Sequence, residues 1–264
     1  MMKNDIPILE FDPTAEAMFG YKVNVKLPPK AVFGILGDRI EEYAESCGAR
    51  TADIIHTITR DYPIYILNYN GEDICLLQSP MGAPAAVQNM EILLHNGVKH
   101  IISAGSCGVL REMPENHFLV PVRALRDEGC SYHYLEPSRY AELNMPMTKQ
   151  ICRYLENKGI SYEKCITWTT DGLFRETADK VSARREEGCD AVEMECASLA
   201  ACAKFRNADF GMLLFTADSL ADIDNYDRRD FGNASLVPAL KLCLDIITYG
   251  NTAYIVIKKK RIRP

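Results

Sequence analysis

Ala85-Ala-Val-Gln-Asn-Met-Glu-Ile-Leu-Leu-His-Asn96 is followed, two residues later, by Lys99-His-Ile-Ile-Ser-Ala104. The first run carries apolar residues at helical spacing. The second is a short apolar block with the character of a fully buried strand. Gly105-Ser-Cys-Gly108 then turns the chain. The same grammar recurs on either side. Ala31 to Leu36 reads as a buried strand, with Asp38 or a neighbour placed to cap a helix running through Ala44 to about Cys47. Ile64 to Tyr69 and Asp73 to Ser79 are apolar runs joined by Asn70-Gly71, a hairpin signal. Further strands are expected at Phe118 to Ala124, Cys165 to Thr169 and Phe210 to Thr216. Helices are expected at Met147 to Lys158 (stopped by Gly159), Glu176 to Glu187, Ala197 to Phe205 and Leu236 to Thr248. Arg126 to Pro146 reads as an irregular polar loop. Alternation of this kind, with a hairpin inserted, predicts a single-domain α/β protein: a mixed, twisted β-sheet covered by helices on both faces. The domain is expected over 31–250, after an N-terminal arm at 1–30 and before a C-terminal tail at 251–264.

Composition narrows the function classes. A chain of 264 residues with 47% hydrophobic residues is an ordinary globular protein. Its formal charge of −6 argues against a general nucleic-acid binder. Ten cysteines without a Cys-x-x-Cys pair suggest neither a zinc site nor a stapled small domain, and suit a reducing, cytoplasmic setting. The first residues lack the apolar core of a signal peptide, and no stretch is long enough to span a membrane. No metal-ligand cluster or hydrolase triad stands out, so no metal or organic cofactor is expected.

The stretch richest in chemistry is Asp190-Ala-Val-Glu-Met-Glu-Cys-Ala-Ser198, where Glu193 and Glu195 flank Met194 within an apolar segment. Burying a carboxylate is costly unless a partner donates hydrogen bonds to it. A sugar with two neighbouring hydroxyls is one such partner; the plainer reading is a helix start at which acids favour the dipole. Read as helix, residues two apart face different ways, so Glu193 and Glu195 are not expected in one pocket. Gly37 and Arg39, after the first strand, offer close backbone approach and a bidentate fork for an anion. The Gly105–Gly108 turn offers N–H groups and the Ser106 hydroxyl. A plain tight turn explains that run equally well.

These landmarks recur in an order that resembles the nucleoside phosphorylase family of hexameric purine nucleoside phosphorylases and uridine phosphorylases. They are Gly37-Asp38-Arg39, Gln78-Ser-Pro-Met-Gly-Ala-Pro84, Ser103-Ala-Gly-Ser-Cys-Gly108, Glu193-Met-Glu195 and Thr216-Ala-Asp218. The resemblance covers roughly residues 30 to 248. It implies reversible phosphorolysis of a nucleoside, purines favoured, with inorganic phosphate as co-substrate. Phosphate would rest on Gly37, Arg39 and Ser106, with Arg60 reaching it from a neighbouring subunit. The implied assembly is therefore a homodimer or a hexamer built from dimers. Met194 and Glu195 would hold the ribose, with Glu193 in support. Gly105, Leu173 and Phe174 would line the base, and Asp218, supported by Arg228, would protonate it as it leaves. The alternative for Asp218 is a helix cap, for Leu173 and Phe174 core packing, and for Arg60 and Arg228 solvated charge.

The chain departs from the family pattern at several points. Arginine follows aspartate directly in Gly37-Asp38-Arg39, where the family reads Gly-Asp-Pro-x-Arg. Ser103 stands where a phosphate-binding arginine is common. Residues 1–55 contain no histidine for the 5′ hydroxyl. Thr170 to Thr177 lacks the glutamine with which the uridine branch reads uracil, although Arg126 to Tyr134 looks more like that branch. Uridine phosphorolysis, hydrolysis on the same fold and nucleoside binding without turnover are the rival expectations.

Overall fold

In the computed structural model, residues 5–249 are described, apart from 21, 22, 24 and 144. The 251–264 tail lies outside the described residues. Ten strands and six helices follow one another as β1 (Lys30–Gly34), α1 (Arg39–Ser46), β2 (Arg50–His56), β3 (Asp61–Tyr69), β4 (Glu72–Gln78), α2 (Ala83–His95), β5 (His100–Val109) and β6 (Phe118–Asp127). Then come β7 (Tyr140–Glu142), α3 (Pro146–Lys158), β8 (Tyr162–Thr170), α4 (Ala178–Glu186), β9 (Ala191–Glu193), α5 (Cys196–Phe205), β10 (Asp209–Ser219) and α6 (Leu236–Thr248).

All ten strands form one mixed sheet, with β1, β4, β3 and β2 on one flank and β9, β8, β6 and β10 on the other side of β5. Because β10 also pairs with β5, that second group closes into a ring. Successive side chains of a strand face opposite ways. Val32, Leu76 and Ile102 therefore pack beneath α1, α3 and α6. Phe33, Cys75 and Ile101 pack beneath α2 and α5. The two-faced α/β architecture expected from the alternation is present. The Asn70-Gly71 hairpin is present too, with φ of 51° and 82° joining β3 to β4.

One feature of β5 positions the site. Its whole length on one edge belongs to β10. On the other edge it pairs with β1 only through Ile102, and with β9 only from Gly108. Between those points the strands diverge, and Ser103 to Cys107 are left bordering a gap that the amide of Ile35 bridges once, to the Ala104 carbonyl. A cleft forms there, at the carboxyl ends of β1, β5 and β10, where open α/β sheets place their ligands.

The remaining expectations shift in detail. Residues 5–20 hold a short 3-10 turn at Pro7–Leu9, and the arm lies against its own chain: Phe11 meets Phe205 edge-on, and Arg206 donates to the Ala15 carbonyl. Arg126 to Pro146 contains β7, paired with β6, and so is not wholly irregular. The helix expected from Glu176 starts at Ala178, capped by the Thr177 hydroxyl. Among the described residues, no helix is long and apolar enough to cross a membrane.

Candidate active site

Glu193 is the last residue of a strand, and Glu195 occupies the N-cap position of α5. The helical reading of this segment is therefore corrected. The strand-to-helix turn, unlike a helix, lets both carboxyl groups line the same cleft, with Met194 between them. Oε2 of Glu193 accepts from the amides of Glu195 (2.8 Å) and Cys196 (2.6 Å), and Oε1 from the hydroxyls of Thr169 (2.6 Å) and Thr167 (3.2 Å). Those bonds satisfy amides left bare at the start of α5. Thr169 also accepts from the amide of Ala197, locking β8 to the same helix start.

Glu195 is only 5% exposed, and its Oε1 accepts from the amide of Gly82. Burial, and then the neighbouring Glu193 charge, pushes its pKa up to about 8. Burial pushes Glu193 upward as well. Its four donors oppose that rise, whereas Glu195 has one such amide donor in Gly82 and a like charge beside it. The two oxygens of a carboxyl group at this position can engage two vicinal hydroxyls at once.

The cleft has a volume of about 680 Å³ and is lined by Ile35, Gly105, Ser106, Cys107, Gly108, Val192, Leu220 and Asp218. Its mouth holds Met81, Leu173, Phe174, Ile223, Tyr226 and Phe231, all large apolar or aromatic side chains left exposed in the single chain. Phe174 is 94% exposed. Such a rim marks a surface that a ligand or a partner covers.

Asp218 follows Thr216-Ala217 near the end of β10. Burial raises its pKa, while hydrogen bonding to Tyr226 and the charge of Arg229 oppose the rise. Gly108 packs closely beneath this carboxylate and its apolar neighbours Leu220 and Val192. A Cβ on that residue would lie 2.8 Å from Leu220 and 3.3 Å from Oδ1 of Asp218. The sequence reading missed Glu176, which lines the cleft ahead of α4. Burial and then the Asp218 charge push its pKa up to about 7. It also missed Tyr226, which lines the same cleft as Asp218 and whose pKa is pushed up to about 12, by burial and then by the Asp218 charge. Both lie beyond strand ends, in segments without periodicity, so only their chemical type could have marked them.

Of the residues singled out from sequence, Gly105, Ser106, Leu173, Phe174, Glu193, Met194, Glu195 and Asp218 line this cleft together. Gly37, Arg39, Arg60 and Arg228 do not. Arg39 pairs with Glu42 at 2.5 Å, one turn along α1. Arg60 pairs with Glu41 at 2.7 Å and lies over the Tyr62 ring. Arg228 stacks on Phe231, and it is Arg229 whose charge acts on Asp218. Among the described residues, no lysine or arginine lines the cleft.

Comparison with known proteins agrees with this architecture. Over 155 residues the chain is 24% identical to a guanosine phosphorylase of Halorubrum lacusprofundi, a match covering 58% of this chain and 64% of that relative. The chain thus spans a little under two thirds of that relative's length. The uridine phosphorylase structure from Vibrio fischeri superposes with a TM-score of 0.72 at 22% identity, covering 84% of this chain and 92% of that one. An AMP nucleosidase structure from Bacteroides thetaiotaomicron gives 0.68 at 23% identity, covering 84% and 88%. These two show the shared fold. Residues 29–243, most of the chain, match the model of the phosphorylase superfamily, and the chain belongs to that superfamily.

Proposed function

We propose that this protein cleaves the N-glycosidic bond of purine nucleosides by phosphorolysis, releasing the free base and ribose 1-phosphate. The observation that carries the reading is the presence of Glu195 and Asp218 in one apolar-walled cleft. Glu195 and Met194 hold the ribose. As the bond lengthens, positive charge grows on the sugar and electrons move into the base. Asp218, its proton affinity raised by burial, protonates the base and lets it leave neutral. Glu193 holds the turn that aims Glu195, and the backbone around Ser106 faces the sugar from β5. Positioning and electrostatics supply the acceleration, with no covalent enzyme intermediate.

In this reading phosphate draws on Ser106 in the cleft, on Gly37 and Arg39 beyond its lining, for which Arg39 must leave Glu42, and on Arg60 from a second copy of the chain. Arg60 stands at the turn between β2 and β3 beside Ile58, which is fully exposed in the single chain. Insertion of that turn over a neighbour's apolar rim would bury both and bring a cation to an otherwise acidic cleft. The active form is therefore an oligomer, a dimer or a hexamer of dimers.

A second reading, hydrolysis with water as nucleophile, is favoured by the lack of a cation among the lining residues. Measuring base release from inosine and guanosine with and without phosphate separates them. Phosphorolysis predicts phosphate-dependent release with ribose 1-phosphate as product. Equal rates without phosphate would replace it by hydrolysis, and no release in either condition would remove both.

A further inference from the structure

A second cavity, of about 520 Å³, lies between α3 and the strands β6, β7 and β8. It shares no lining residue with the Glu195 cleft. Its charge runs against that of the chain, whose formal charge is −6. Arg123, Lys149, Arg153 and Lys164 line it, against the carboxylates of Glu142 and Glu156. The fold gathers this lining from several elements. Thr148, Lys149, Cys152, Arg153 and Glu156 fall on one stripe of α3. Lys164 and Ile166 are alternate residues of β8 and so share a face. Between Pro121 and Arg123, β6 carries one residue more than β8. That bulge lets the consecutive residues Val122 and Arg123 line the same cavity.

Exposed lysines and arginines usually mean no more than a solvated surface. Two observations set this group apart. Arg123 is neutralised by Glu142 at 2.9 Å and lies over the Tyr140 ring. Among the described residues, however, the side chains of Lys149, Arg153 and Lys164 make no hydrogen bond or ion pair. Lys149 and Arg153 stand one turn apart on α3, a like-charge spacing that weakens a helix unless an anion offsets it. Glu156 does not offset it, since it spends one oxygen on the Tyr162 hydroxyl at 2.7 Å and makes no ion pair with Arg153. The second observation is Thr148, which is 4% exposed and whose hydroxyl has no hydrogen-bond partner. A buried hydroxyl left unpaired is costly, and a ligand oxygen in the cavity would satisfy it.

We propose that this cavity is a second ligand site, and that it binds a small phosphate ester whose carbon skeleton carries hydroxyl groups. Three unpaired cations call for more negative charge than one carboxylate brings, and a phosphate monoester carries about −1.5 to −2 at pH 7. Arg153 offers the fork that phosphate oxygens accept in pairs, and Lys149 and Lys164 add point charges. Thr148 contributes its hydroxyl. Val122, Cys152 and Ile166 give the rest of the ligand an apolar wall. The second oxygen of Glu156 accepts from a ligand hydroxyl. The inference does not depend on the chemistry of the Glu195 cleft.

Calorimetric titration of the whole chain tests it, with ribose 5-phosphate and adenosine 5′-monophosphate as probes and with ribose and inorganic phosphate alongside. At least one ester should bind more tightly than either fragment, and the preferred ester tells whether the skeleton ends at the sugar. The double variant Arg153→Gln/Lys164→Gln should weaken that binding by about 10–100-fold, the scale of lost charge-assisted hydrogen bonds. Thr148→Val, which keeps shape and charge, should weaken it by about 3–10-fold. Glu195→Gln should leave it unchanged, and melting temperatures check that each variant folds. Binding lost in Glu195→Gln but kept in the double variant would put the ester in the other cleft and overturn the proposal. Failure of both esters to bind would overturn it as well. So would binding indifferent to Thr148→Val, which would reduce the cavity to a charged surface.

Discussion

The carboxyl of Glu195 accepts a hydrogen bond from the amide of Gly82, a residue 113 positions earlier in the chain. Gly82 is the N-cap of α2, with φ of 93° and ψ of 139°. This bond joins the turn before α5 to the start of α2 and fixes the orientation of the proposed ribose-binding acid.

Gly82 lies in a backbone region that side chains rarely adopt, yet a Cβ there would meet nothing within 4 Å. The penalty of Gly82→Ala is therefore conformational strain, about 1–3 kcal/mol. Relief of that strain would turn the amide away from Glu195. Urea unfolding should show the loss, and KM for nucleoside should rise. Unchanged values for both would mean that the bond orients nothing.

Glu193 holds two amides and two threonine hydroxyls in a buried turn. Glu193→Ala leaves these donors without a protein acceptor, at about 1–3 kcal/mol for each that stays buried and unpaired. Chemical denaturation should register a loss larger than that of Thr169→Val, which removes one donor to Glu193 and the acceptor of the Ala197 amide. Equal stability of Glu193→Ala and the wild type would contradict the role.

The raised pKa of Glu195 has a signed consequence for stability. Its folded value, about 8, lies above the ordinary carboxylate range, so the folded state holds a proton that the unfolded chain has released. Stability from this group is full at acid pH, below its unfolded pKa, and is lost as pH climbs toward about 8. Glu176, raised to about 7, adds a loss of the same sign. Melting temperatures of the wild type and Glu195→Gln should therefore converge near pH 5 and separate by pH 8, with the variant the more stable. Parallel curves would show that Glu195 does not hold the proton.

Asp218→Asn removes the proposed general acid while keeping the shape of the side chain. Inosine cleavage should fall by about 10²–10⁴-fold. A nucleoside whose base already carries positive charge, such as 7-methylguanosine, needs no proton to depart and should lose much less. An equal loss on both substrates would place Asp218 outside proton transfer.

Most of the architecture was legible because buried strands and amphipathic helices write their periods into the chain. Ile101 to Ala104 and Ala85 to Asn96 are of that kind. Strand β9 was not legible, since three residues define no period, and its absence turned Glu193 and Glu195 into helix neighbours. Closure of the ring through β10 depends on pairings between distant strands, which local pattern does not encode. At the site, Met194 and Glu195 were marked by the family resemblance of Glu193-Met-Glu195, and Asp218 by its place after an apolar strand; all three line the cleft. Glu176 reads as the first residue of a surface helix, whereas Thr177, one residue on, caps that helix. Arg39 and Arg60 carried the right charge for an anion, but in the chain they pair with Glu42 and Glu41 on α1. Whether a cation pairs within its own helix or reaches a cleft depends on neighbours that the motif does not contain.

Diffraction from crystals grown with a guanosine analogue whose glycosidic bond cannot break tests the central assignment most directly. The ribose 2′ and 3′ hydroxyls should lie on the Glu195 carboxyl, with the base reaching Asp218 at the other end of the same molecule. Analogue bound elsewhere, or seated with its ribose hydroxyls away from Glu195, would contradict the assignment.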